Sequence, residues 1–108
     1  DNQVYKINLE NAFKNIDVIM TPTTRGPAFE MGSKGDDPIQ MYLEDLFTIS
    51  ANLAGLPAIS LPNGNIQNKP IGLQIIGNFL DESTILNFAH MYQNETNWHM
   101  YTPEGIKQ

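Results

Sequence analysis

From residues 2 to 15 the apolar positions Val4, Ile7, Ala12 and Phe13 recur loosely at helical spacing, with Leu9 nearby, and the pattern changes at Ile16. The spacing predicts a helix that ends there. Residues 16–20, "IDVIM", form a largely β-branched apolar run closed by Thr21 and Pro22, which fits a strand covered on both faces, as in parallel sheets. Residues 23–36 contain three glycines, one proline and no apolar period, so they read as a long loop of the kind that is usually functional or covers something.

The next stretch carries a helix start, with Asp37 as N-cap, Pro38 at the first helical position and Gln40 placed to reach back as in a capping box. Ile39, Tyr42, Leu46, Ile49 and Leu53 then repeat at three- and four-residue spacing, and Gly55 supplies a stop. "PAISL" at 57–61 reads as a strand bracketed by Pro57 and Pro62, residues 63–69 as a turn-rich loop, and "IGLQIIG" at 71–77 as a second strand. Their short connection favours an antiparallel pair. Asp81 or Ser83 caps a last helix whose apolar face is Ile85, Phe88, Ala89 and Tyr92. The tail from 97 to 108 is polar and reads as loose, with no reason evident for Trp98.

The outcome is an α/β chain of about three helices and three strands, in which residues 1–108 read as the C-terminal segment of a single domain. Two of the strands want cover on both sides, and helices drawn from 108 residues can cover one side well but hardly both. The sheet is therefore expected to continue in other residues, and a start at Asp1 without an initiator methionine points the same way.

Composition narrows the function. Hydrophobic residues make up 41% and charged residues 17%, which is a globular balance. Twelve acidic against 6 basic residues give a formal charge of -6, which opposes direct contact with a phosphate backbone. The absence of cysteine excludes disulfides and thiolate metal sites within the chain. No apolar run approaches the ~18 residues of a membrane span, so a cytoplasmic location is expected and no membrane partner.

Nucleophilic catalysis needs a nucleophile and an activating group within hydrogen-bond reach. Ser33, Ser50, Ser60 and Ser83 sit in no GxSxG or comparable elbow. Ser60 reads as a small residue in a buried strand. His90 falls on the polar face of its helix, His99 lies in the tail, and they share no ligand spacing, so no metal site is expected. No phosphate-binding glycine pattern occurs. Asp45 stands apart. On the strong helix it lies at the border of the apolar arc, beside Met41 and Asn52, where a carboxylate either binds a cationic group in a cleft or is merely solvated or accepts a hydrogen bond.

"DVIMTPTT" followed by "PAFEMG", then "DDPIQMYLEDLFTISANLAGLPAISLPNG", then "KPIGLQIIGNFLDESTIL", closely resembles the C-terminal part of the amidase-signature family, over residues 12–92. The "MYLED" stretch with its flanks is most similar to the tRNA-dependent branch. The resemblance implies a large mixed sheet flanked by helices. It also implies a catalytic lysine and two serines that lie upstream, so that no catalytic residue falls within these 108. In that branch ammonia is released from glutamine by acyl transfer to a serine and passes to a partner subunit, where ATP-activated Glu-tRNA(Gln) becomes Gln-tRNA(Gln). The implied partners are subunits B and C, the glutamine substrate, and tRNA held through the partner subunit. ATP and Mg are implied for the complex through that partner, and no cofactor for this chain. The branch uses an aspartate on this helix to receive the α-amino group of glutamine, and the matching residue is Asp45. Two further readings stand beside this one: part of a general amidase-signature hydrolase, and a non-catalytic acidic binding or scaffold module.

Overall fold

The computed structural model describes residues 2–31, 39, 42, 43 and 45–102. Among these, the elements are α1 (Asn2–Ala12), β1 (Val18–Pro22), α2 (Leu46–Ala54), β2 (Ala58–Ile66), β3 (Lys69–Gly77), α3 (Glu82–Glu95) and one 3-10 turn, Trp98–Met100. The α/β class and the three helices and three strands agree with the sequence reading.

The strands form one sheet in the order β1-β3-β2, antiparallel throughout. The β2–β3 pair is as expected. The parallel-sheet reading of β1 is corrected: it runs antiparallel to β3, with Val18 opposite Gly77 and Pro22 opposite Leu73. Apolar residues on both faces report cover, not strand direction. The expected loop at 63–69 also shrinks. β2 continues to Ile66 and the reversal is made by Gln67 and Asn68 alone, at φ of 52° and 63°. Positive φ at both central residues matches the right-handed twist of a two-residue hairpin. Glutamine rarely signals that conformation, so the turn is hidden in the sequence. Pro62 does not end the strand; it sits at a bulge between Pro62 and Gly64 on an edge strand, where a missing N–H is tolerated.

Central strand β3 distributes the core by its two-residue alternation. On one face Leu61 and Ile75 pack with Ile85 and Ala89 of α3, joined by Val18, Ile59, Leu73, Phe88 and Tyr92. The face assigned to α3 from its spacing is the one buried. On the other face Ile76 meets Phe13 and Ala51, with Ile19 and Leu56 alongside. Both sides of the sheet thus carry helical cover, contrary to the expectation of one. Much apolar surface nevertheless remains open, including Val4, Ile7 and Met20.

The phase of α2 differs from the sequence reading. Its buried residues are Ala51 and Ala54, whereas Tyr42 is 60% exposed and Leu46 42%, and Ile39 is exposed as well. The chain turns at Asp45, so the residues before and after it do not share one helical stripe. The capping residues Asp37, Pro38 and Gln40 lie outside the described residues. Gly55 is the predicted stop, at φ 70° and ψ 36°, with Leu56 N–H donating to the Ala51 carbonyl at 3.0 Å as a left-handed terminus requires.

Beyond α3, Trp98 approaches Gly64 at the bulge and stacks obliquely on Tyr101, with ring centroids 5.6 Å apart. The Tyr92 hydroxyl donates to Asn63 Oδ1 beside that bulge. Residues 97–102, read as the start of a loose tail, therefore include a turn whose Trp98 reaches β2; 103–108 lie outside the described residues.

Gly77 marks the tightest point between β3 and α3. A Cβ there would lie 2.5 Å from Ile85 Cγ2 and 3.4 Å from the Asp81 carbonyl oxygen. Gly77→Ala is expected to lower stability by about 1–3 kcal/mol through overpacking, read as a lower urea midpoint at unchanged slope.

Candidate functional site

Asp45 occupies the N-cap of α2, at φ −95° and ψ 1°. This is the sparsely populated bridge region between the helical and extended basins. Its backbone is fully engaged. The Asp45 N–H donates to the Tyr42 carbonyl at 3.1 Å, and its carbonyl accepts from the Thr48 N–H at 3.2 Å and from Thr48 Oγ1 at 3.1 Å. Its side chain makes no capping hydrogen bond. The residue is exposed, so the carboxylate stands at a fixed turn with its oxygens not spent on the helix beneath it. Asn52, one turn after Thr48, bonds back along its own helix, its Nδ2 donating to the Thr48 carbonyl at 3.1 Å.

What fixes that turn to the sheet is a residue the sequence reading passed over. Gln74 is a polar residue in the apolar run of β3 and is only 5% exposed. Its Nε2 donates to Thr21 Oγ1 at 2.9 Å and to the Phe47 carbonyl at 2.8 Å. Thr21 is its register partner on β1, and Phe47 lies in the first turn of α2. A lone glutamine in the middle of "IGLQIIG" is the available signal, since a buried amide demands partners.

The same sheet face carries a second polar pair, Thr23 Oγ1 and Ser60 Oγ at 2.8 Å, on either side of Gly72. Ser60 is exposed, not buried as its strand suggested, because β2 is an edge and that face of it is left uncovered. No group that could take its proton as a base touches it among the described residues, so it carries no sign of nucleophilic activation. Ser50 is half-buried in α2, Ser83 is exposed, and Ser33 lies outside the described residues. His90 is exposed as its face predicts, and His99 is exposed in the 3-10 turn. Among the described residues there is no group of three His, Asp or Glu side chains able to hold a metal, and no helix long and apolar enough to cross a membrane. A cleft of about 240 Å³ lies elsewhere, lined by Pro62, Gly64, Pro70, Trp98, His99 and Tyr101 among others. Asp45 and Gln74 do not line it.

A family model described as Amidase matches residues 1–86. The A subunit of the glutamyl-tRNA(Gln) amidotransferase from Saccharophagus degradans is 50% identical over 105 residues, which are 97% of this chain and 22% of that protein. The chain thus spans about a fifth of the length of this curated relative. The crystal structure of the corresponding A subunit from Thermotoga maritima is similar with a TM-score of 0.89 at 34% identity, covering 99% of this chain and 25% of that one. The structure of a 6-aminohexanoate cyclic dimer hydrolase is similar with a TM-score of 0.84 at 26% identity, covering 95% and 24%.

The free carboxylate makes a stability test of the site's character. An N-cap aspartate bonded to its helix is worth about 1 kcal/mol, so Asp45→Ala is expected to change stability by less than about 0.5 kcal/mol. A fall in the urea midpoint equivalent to a full cap would show that the helix uses the side chain after all.

Proposed function

The chain belongs to the amidase family, and from that premise we propose that its residues form the C-terminal part of the glutaminase subunit of the tRNA-dependent amidotransferase, that is, the A subunit of glutaminyl-tRNA synthase (glutamine-hydrolysing). The observation that carries this reading is the 50% identity, over 97% of the chain, to the A subunit of a glutamyl-tRNA(Gln) amidotransferase. On this reading the catalytic serines and lysine lie outside these 108 residues, and the segment is inert alone. It contributes sheet, packing and one substrate contact. A serine attacks the side-chain amide of glutamine, ammonia leaves, and water hydrolyses the resulting acyl ester. The ammonia serves an ATP- and Mg-dependent partner, with subunits B and C completing the complex and holding tRNA. This work belongs to protein biosynthesis in the cytoplasm.

Asp45 receives the α-amino group of glutamine. The geometry supports this role in two ways. The backbone of Asp45 is held by Tyr42 and Thr48, so the carboxylate is presented from a defined point. Its side chain is not consumed by a cap bond, so it is open to an ammonium partner. A charge-assisted N–H···O bond to such a group is about twice as strong as a neutral one.

The test is steady-state glutaminase kinetics of the full-length protein with Asp45→Asn. Losing the charge while keeping the shape is expected to raise the KM for glutamine by roughly 10- to 100-fold with kcat changed far less. An unchanged KM would overturn the role of Asp45 and favour a family hydrolase that acts on amides without an α-amino group. Hydrolysis of glutamine by the 108 residues alone would overturn their inertness.

A further inference from the structure

The buried amide of Gln74 goes beyond the assignment of Asp45, and the inference drawn from it rests on that assignment. Burying a glutamine on a central strand costs free energy unless each polar atom is partnered, and an apolar residue such as the neighbouring Ile76 packs on this face without that cost. The amide is committed instead. Both Nε2 protons are used, one on edge strand β1 through Thr21 and one on α2 through the Phe47 carbonyl. Phe47 is two residues after Asp45. A carbonyl oxygen has two lone pairs, so this one can accept from Gln74 and still serve its own helix. Packing is non-directional and lets a helix end slide over a sheet, whereas a bond at 2.8 Å fixes both distance and angle. Leu46, next to the turn, is 42% exposed and gives the helix start little apolar anchorage.

We propose that Gln74 is the positioning residue for Asp45: its side-chain amide holds the first turn of α2 over β1 and β3, and so sets where the carboxylate meets the α-amino group of glutamine. Gln74 itself does not touch the substrate.

The experiment compares Gln74→Met, Asp45→Asn and the double variant in the full-length protein. Methionine keeps the length and volume and removes both donors. The expected result for Gln74→Met is a glutamine KM about ten-fold higher with kcat within about three-fold, while the competitive inhibition constant of glutaramate, which lacks the amino group, stays within about two-fold. The double variant is expected to be no worse than Asp45→Asn alone, because both changes act through one contact. Gln74→Asn, one methylene shorter, is expected to show a smaller shift of the same kind and serves if the methionine variant does not fold. Equal losses for glutamine and glutaramate, or additive losses in the double variant, would overturn positioning in favour of a purely structural role. A normal KM in both Gln74 variants with a raised KM in Asp45→Asn would sink this inference and leave the substrate contact standing. A normal KM in Asp45→Asn would instead remove the contact and this inference with it.

Discussion

A buried primary amide has two protons to place, and Gln74 places them on two different elements. One goes to Thr21 on β1 and the other to the Phe47 carbonyl at the start of α2. Few other side chains could do this from the middle of a strand: a hydroxyl has one proton, and a lysine would bring a charge that burial makes costly. The satisfied amide therefore specifies which strand lies beside β3 and where the helix begins above it. Leaving either acceptor out of reach would strand a buried donor, at about 1–3 kcal/mol.

Around that point the apolar core is split by the pleat of β3. Ile75 belongs to the α3 side and Ile76 to the α1–α2 side, so a single strand joins two clusters that have no buried residue in common. Shifting β3 by one residue would exchange the two sets and bring Gln74 into the α3 cluster, where its described partners Thr21 and Phe47 do not lie. Register is thus fixed twice, by hydrophobic alternation and by the polar bond. Further along the sheet, the Tyr92–Asn63 bond and the contact of Trp98 with Gly64 tie α3 and the 3-10 turn to the β2 bulge. Trp98, opaque in the sequence, owes its place to a bulge that no local pattern announces.

What can be read in advance follows the range of the cause. The buried face of α3, the glycine stop at Gly55 and the β2–β3 hairpin arise from neighbours in the chain, and residues 55 and 85–92 carry them openly. The Gln67–Asn68 turn, the direction of β1 and the partners of Gln74 arise from pairings across 27 to 59 positions or from an uncommon residue at positive φ. Asp45 stands out in the sequence as unusual, yet for an incomplete reason. Its place on a helical arc matters less than its place at the start of α2.

The turn at Asp45 also accounts for the misread phase of α2. Spacing from Ile39 to Leu53 is regular only if the helix is unbroken, and a residue at ψ 1° resets the direction in which the following side chains point. After the reset, small Ala51 packs with Ile76 of the sheet and Ala54 is buried as well, while Tyr42 and Leu46 remain exposed. One backbone feature thus accounts both for the misread apolar stripe and for the carboxylate: the turn that leaves Tyr42 and Leu46 off the buried face also sets Asp45 at the start of α2 with its side chain unspent on the helix.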